Sequence, residues 1–293
     1  MKKAVIFGAN GQDGRFLAIE CQNLGIKVIP FSRSANGING DVSNFRSVGR
    51  IIKSEKPDYI FHLAANSTTW HGSLFENHKT ISTGTLNILE NVKNFSPMSR
   101  VFITGSGVQF KNSGEPISEE TDFEASSPYA IARIHSVYAV RYYRSLGVNA
   151  FVGYLFNHES PFRKGSGISQ KISQAVKRIA AGSSEKIEIG DISVEKEWAY
   201  AGDIARGILT LVQQDHLSEG IIGTGISYSI KDWIEICFNL INKDWKDYVI
   251  QQNSFIGEYK RLVSKPDKMF SIGWRPEVDI YQLARLMISD VKI

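Results

Sequence analysis

The chain has 293 residues, 42% of them hydrophobic and 22% charged, with a formal net charge of +4. That is enough apolar material for one large core with a smaller lobe and leaves no sign of disorder. The basic residues are scattered rather than gathered in a stripe, which suits a small anionic ligand and excludes a nucleic-acid partner.

No apolar run approaches the ~18 residues that span a bilayer. The opening Met1-Lys2-Lys3 and its apolar sequel are broken by Gly8, Asn10, Gln12 and Asp13 before they form a signal segment, so a cytoplasmic protein without a membrane partner is expected. Cys21 and Cys237 lie far apart without ligand spacing, so they read as small packing residues, with neither a disulfide nor a metal site.

In chain order, Ala4-Val5-Ile6-Phe7 reads as a buried strand and joins a helical pattern beginning near Gln12. Between them stand Gly8, Ala9, Asn10, Gly11, Gln12, Asp13 and Gly14. The first glycine allows a sharp turn off the strand, the second a close approach of backbone N–H groups to a pyrophosphate, and the third close packing of helix on sheet. The helix N-terminus adds unpaired N–H groups and a positive dipole end, so a dinucleotide is expected here. Gly25 ends this helix and Lys27–Phe31 forms a second strand. At its end, where an acid would hold a ribose 2′-hydroxyl, stand Ser32 and Arg33, which suit a 2′-phosphate and favour NADP(H). Gly40-Asp41-Val42 follows where a carboxylate can reach the adenine amino group. Asn44 is placed to cap a helix with Phe45, Val48 and Ile52 on one face.

Residues 58–63 make a third buried strand, closed by Ala64 and Ala65, small enough for a dinucleotide to lie against the backbone, with Leu63 beside them as a further cofactor contact. His62 within it reads as a core histidine. A helix carrying Leu86, Leu89 and Val92 precedes a strand over Arg100–Thr104, and the βαβα alternation implies an α/β fold with a doubly wound parallel sheet. Residues 105–110 then form a loop at the carboxyl end of a strand, where such sheets place their chemistry. Ser127 as N-cap and Pro128 at the first position start a helix that sets Tyr129 and Arg133 one turn apart on one face. A phenol is a poor base at neutral pH unless a cation favours its phenolate, and Arg133 supplies that charge.

Four stretches carry a resemblance: residues 11–14 (Gly-Gln-Asp-Gly), 155–161 (Leu-Phe-Asn-His-Glu-Ser-Pro), 178–182 (Arg-Ile-Ala-Ala-Gly), and 223–225 leading into Tyr228-Ser229. The chain resembles the extended short-chain dehydrogenase/reductases and, within them, the GDP-mannose 4,6-dehydratases, from Ala4 to about Trp274. The resemblance implies a Rossmann domain holding NADP(H), a smaller C-terminal α/β lobe holding a nucleotide sugar, most plainly a GDP-linked one, and transient oxidation at C4 of that sugar. Two departures stand out. Arg133 occupies the lysine position of the family's Tyr-x-x-x-Lys pair; it keeps the charge but cannot give up a proton. The family's Thr-x-Glu, hydroxyl for C4 and carboxylate for the C5/C6 elimination, aligns with Gly105 and Gly107. Without that carboxylate full dehydration is doubtful, and Ser106 or Thr104 is left to replace the hydroxyl.

By the same resemblance Asn157, Arg163, Lys164 and Lys171 belong to the part that folds over the nucleotide diphosphate, and Lys196 stands where relatives carry arginine. Asp203 heads a helix returning to the main sheet and reads as a cap, while Trp233, Trp245 and Trp274 read as core and Ser264–Trp274 as a structural helix. The division expected is 1–158 with 196–226 for the dinucleotide domain and 159–195 with 227–293 for the sugar lobe. The stretch between Arg33 and Gly40, used by relatives in oligomer contacts, is short, so a homodimer through the helix of Tyr129 is expected and a tetramer stays open. Three readings remain: hydride transfer at C4 as 4-keto reductase or epimerase, a 4,6-dehydratase with rearranged acid and base, or an NADP(H)-binding protein that has lost the chemistry.

Overall fold

In the computed structural model of the chain, residues 1–33, 38–163, 167–252 and 257–289 are described; Lys164 lies outside them. The first strand, β1 (Lys3–Phe7), buries Ala4, Val5, Ile6 and Phe7 completely. Val5 and Phe7 pack into one apolar layer and Ala4 and Ile6 into another, the two-residue alternation of a strand covered on both faces.

Around β1 lie β2 (Lys27–Ser32), the two-residue edge strand β3 (Ile38–Asn39), β4 (Tyr59–His62), β5 (Arg100–Ser106) and β6 (Ala150–Leu155), with a late strand β11 (Glu219–Ile222) at the far edge. All pair in parallel in the order β3-β2-β1-β4-β5-β6-β11. The chain thus winds outward one way from β1 and the other way from β4, leaving a crevice at their carboxyl ends. Helices α2 (Phe45–Glu55), α4 (Gly84–Phe95) and α5 (Pro128–Ser145) cover one face, and α1 (Gln12–Asn23) and α7 (Ala201–Val212) the other.

The strand expected to stop at Thr104 runs two residues further, because Gly105 and Ser106 keep pairing with Tyr154 and Leu155; the loop proper begins with a 3-10 turn, Gly107–Gln109. Asn44 caps α2 as expected, accepting from the Ser47 N–H at 2.9 Å. The buried face of α2 is Val48, Ile51 and Ile52, whereas Phe45 is about half exposed; Asn91 donates to its carbonyl at 3.3 Å. Leu86 is likewise exposed, while Leu89 and Val92 are buried with Ile88. The helical segment ahead of α4 starts early, with α3 (Leu74–Asn77) running through a π-turn, His78–Thr83.

Beyond β6 the remaining strands are short. β7 (His158–Glu159) pairs with β10 (Ala199–Tyr200), β8 (Ile187–Ile189) with β13 (Val249–Gln251), and β9 (Glu195–Glu197) is flanked by β12 (Ser227–Ser229) and β14 (Arg261–Leu262). With α6 (Ile168–Ala180), α8 (Ile230–Asn239) and α10 (Ile280–Ile288) they build a second core, in which Trp233 stacks on Trp198 at 4.7 Å. Trp245 is only partly buried against it. The short α9 (Asp267–Ser271) departs from this pattern: Met269 and Trp274 join the layer around α1 and α7, and Leu262 the opposite one, although the expected division puts this segment in the lobe. Cys21 and Cys237 are buried free thiols, and burial pushes both up, Cys21 to about 12. No helix among the described residues is long and apolar enough to cross a membrane.

Candidate active site

The turn off β1 is possible only for glycine. Gly8 has φ +91°, and a Cβ there would lie 2.6 Å from the Ala64 nitrogen; at Gly14 it would lie 2.4 Å from the Gly8 oxygen. Gly11 starts α1 with no side chain capping it, so the first-turn N–H groups remain available to an anion. In front of them opens a cleft of about 380 Å³.

Gly8, Asn10, Gly11, Ser32, Arg33, Asp41, Val42, Leu63, Ala64 and Ala65, all nominated from the sequence, line this cleft, together with Phe7, Phe31, Gly40 and Thr80. Asn10 donates to the Ser32 hydroxyl at 2.8 Å. Arg33 pairs with Glu76 at 2.9 Å, and Asp41 accepts from the Ser43 N–H and faces Lys79 at 3.6 Å. Burial alone would raise the Asp41 carboxyl; the Ser43 bonds and the charges of Lys79 and Arg33 outweigh it and hold the group below its usual range. Thr80 carries no motif and escaped the sequence reading.

Gln12 and Asp13, expected at the cofactor, have their side chains turned to another task. Ser160 donates to the Gln12 carbonyl oxygen at 2.7 Å, and His158 Nε2 meets Asp13 Oδ1 at 2.9 Å while its Nδ1 meets the Phe156 carbonyl at 2.7 Å. Both ring nitrogens face acceptors, an arrangement that suits imidazolium. Burial opposes that charge, but the Asp13 carboxylate prevails and raises the His158 pKa; burial likewise works against the Asp13 charge, and His158 lowers its pKa. The phosphate loop and the Asn-His-Glu-Ser-Pro stretch are thus clasped together, a link that joins two sequence motifs and was not foreseen.

Helix α5 begins as expected, with the Ser127 hydroxyl accepting from Ala130 N–H at 3.1 Å. Tyr129 packs with Ile81 and Ala132, against Ala65 and Val108. Ala65, packed against the same cluster, also lines the cleft, whereas Tyr129 itself does not. The Arg133 guanidinium lies 5.0 Å from the Tyr129 ring centre, within cation–π range. Its Nη1 donates to the Thr104 carbonyl at 2.6 Å, and its buried Nε has no partner among the described residues. Beside it His62 is buried, and burial and the Arg133 charge drive its pKa down to about 3, so it is a neutral core histidine.

The space beside the two glycines is filled by neighbouring rings. A Cβ at Gly105 would strike Tyr154 at 2.6 Å, and at Gly107 Phe156 at 2.9 Å, so both positions face packed aromatic rings. The loop residue that packs against the cluster of Ile81, Tyr129 and Ala132 is Val108. Thr104 is also withdrawn, because it lies inside the sheet and its hydroxyl donates to the His62 carbonyl at 2.7 Å. Ser106, half-buried at the end of β5, is the remaining hydroxyl of the pair; its N–H donates to Gln109 Oε1 at 2.8 Å.

On the substrate side, Arg163 donates to the His158 carbonyl at 3.0 Å and to Glu159 Oε1 at 3.2 Å. Glu159 is buried with its other oxygen unpartnered among the described residues. Lys196 is buried too, its ammonium 4.4 Å from the Trp198 ring centre, and burial lowers its pKa against the pull of Glu159. Asn157 Oδ1 accepts from the Tyr259 hydroxyl at 3.5 Å. Lys171 does not join this group, because α6 carries it over β8, where its amine donates to the Glu188 carbonyl. Asp203 is no helix cap either: its carboxylate accepts from the N–H groups of Glu277 and Val278, both at 2.9 Å.

A family model described as GDP-mannose 4,6 dehydratase matches residues 5–287. GDP-mannose 4,6 dehydratase 1 of Arabidopsis thaliana is 28% identical, with 99% of this chain and 89% of the relative covered. Among solved structures, RMD from Pseudomonas aeruginosa complexed with NADPH superposes with a TM-score of 0.86 at 21% identity, over 99% of this chain and 98% of that one. The UDP-glucose 4-epimerase of Thermus thermophilus in complex with NAD gives 0.84 at 19% identity, over 98% and 97%. These two likenesses establish the shared fold.

Proposed function

Because the chain belongs to the GDP-mannose 4,6 dehydratase family, a family of nucleotide-sugar enzymes, we propose that it moves hydride at C4 of a GDP-linked hexose or its 4-keto derivative with NADP(H), as a 4-keto reductase or epimerase. The observation that carries this reading is the loop beside Tyr129. Its Val108 packs against the cluster that contains Tyr129, and residues 104–110 contain no carboxylate. A missing positioned acid or base costs an elimination a factor of about 10² to 10⁴, whereas hydride transfer at C4 asks only for a proton at the C4 oxygen.

The residues fit a dinucleotide. The cradle at Gly8 and Gly14 excludes any side chain, α1 begins with no side-chain cap, and the buried Arg133 Nε has no partner among the described residues. Gly8, Gly11 and Gly14 would hold the pyrophosphate, Ser32 and Arg33 a 2′-phosphate, Asp41 the adenine, and Tyr129 with Arg133 the nicotinamide ribose; the bound cofactor supplies or takes up the hydride. Tyr129 gives the C4 oxygen its proton or removes it. Arg133 sets its guanidinium 5.0 Å from the Tyr129 ring centre and so keeps the phenol in place beside it. Asn157, Arg163 and Lys196 form the side on which a diphosphate is expected. The protein is expected to be a cytoplasmic homodimer.

Incubating the protein and NADP(H) with GDP-sugars and their 4-keto derivatives, read by mass, tests this. A gain of two hydrogens marks the reductase, and unchanged mass with altered retention the epimerase. The curated relatives are named dehydratases, which favours a second reading; loss of water would establish it. Silence across the panel would leave a binding protein without chemistry. Tyr129→Phe is expected to lower turnover at least ~100-fold while NADPH still binds in a fluorescence titration; undiminished turnover would move the chemistry elsewhere.

A further inference from the structure

Two ion pairs straddle the cleft at its Ser32 end. Arg33 and Asp41 come from the β2 side, and Glu76 and Lys79, one turn apart on the segment ahead of α4, come from the other. Glu76 Oε1 accepts from Arg33 at 2.9 Å and from the Thr80 hydroxyl at 3.2 Å, and both donors line the cleft. Asp41, on the cleft wall, has the Lys79 ammonium at 3.6 Å. We infer that Glu76 and Lys79 set the cofactor preference: Glu76 competes with a ribose 2′-phosphate for Arg33, and Lys79 is a second cation for that phosphate.

The inference rests on the NADP(H) reading and deepens it. A 2′-phosphate carries close to two negative charges at neutral pH and bonds best to a guanidinium. To take Arg33 it must displace the Glu76 carboxylate, which repels it in the same place. A plain ribose displaces nothing and is indifferent to the exchange. Lys79, more than half exposed, can swing from Asp41 to the phosphate at little cost, since exposed ion pairs are weak. Arg33 alone would make NADP(H) binding tighter than this site allows; Glu76 holds it back.

Calorimetric titration of NADPH, NADH and 2′,5′-ADP into the wild type, Glu76→Gln and Lys79→Met tests the assignment, with the thermal midpoint of each variant confirming its fold. Glu76→Gln is expected to tighten NADPH and 2′,5′-ADP about two- to fivefold, the range an exposed ion pair spans, and to leave NADH unchanged. Lys79→Met is expected to weaken the two phosphorylated ligands by a similar factor. If Glu76→Gln leaves the NADPH-to-NADH ratio unchanged or lowers it, the inference fails while the NADP(H) reading stands. A wild type that binds NADH as tightly as NADPH overturns that reading and the inference with it.

Discussion

Asp13 and His158 stand 145 positions apart and meet at 2.9 Å. The sequence marked both, as members of two separate motifs, and marked Asp13 for the cofactor because that is what a glycine-rich loop before a helix signals. A bond between residues so distant leaves no local pattern, so the clasp was not legible. Its pH dependence follows from the two shifts. The His158 pKa is raised above its usual 6.5, so its contribution is complete below 6.5 and is lost as pH rises through the folded value. The Asp13 pKa is lowered below 3.8, so its contribution is complete above 3.8 and is lost only as pH falls through the folded value. Between about pH 4 and 6.5 both are present. Asp13→Asn should therefore cost about 1–2 kcal/mol at pH 6 and progressively less on the alkaline side. Thermal melts from pH 5 to 9 check this, and a penalty that grows with pH would refute it. The misplaced end of β5 has a different cause. Strand residues alternate between faces, and an expected loop starting at Gly105 hid the fact that this residue still belongs to β5.

Helix α5 shows what an element's sequence does and does not reveal. Its start was plain, since Ser127 and Pro128 are the residues a helix N-terminus selects, and the Tyr129–Arg133 spacing followed from 3.6 residues per turn. Its far end is fixed by a residue that carries no such signal. Glu219, first in β11, accepts from Arg141 at 2.8 and 3.0 Å, from Arg144 at 2.7 Å and from the Tyr154 hydroxyl at 2.6 Å. Burial alone would raise this carboxyl, but those donors drive it down to about 2. A lowered carboxylate stabilises above its unfolded pKa of about 4.5 and loses that contribution as pH falls toward 2. Glu219→Gln should then cost about 2–3 kcal/mol at pH 7, with the gap to the wild type closing below pH 4.5. Urea melts at pH 7 and pH 3 measure it, and an equal gap at both would contradict the assignment. The π-turn His78–Thr83 was illegible for another reason: widening a helix by one residue per turn has no composition of its own.

At the scale of the molecule, the doubly wound parallel sheet was readable because its first four apolar runs and their turns are local signals and right-handed crossovers leave few arrangements; β3, β6 and β11 were not picked out. The outer surface of α5 was not. Ile131, His135, Tyr138 and Tyr142 succeed one another at four, three and four residues, and the two tyrosines are 58% and 61% exposed. Phe75 on the adjoining α3 is 84% exposed. An exposed aromatic stripe of this kind suits burial against a second copy. Tyr138→Glu is expected to convert a dimer into a monomer in sedimentation velocity, and a wild type that sediments as a monomer would end that expectation.

The last large side chains to complete the two layers of the main sheet are Leu262, Met269 and Trp274, near the end of the chain. Translation proceeds from the other end, so the ribosome has already made all seven strands while a gap beside α1 and α7 still waits for its indole. Until that residue has been made, the apolar sides of α1 and α7 that it covers stay open, so this layer of the sheet closes only after all seven strands exist.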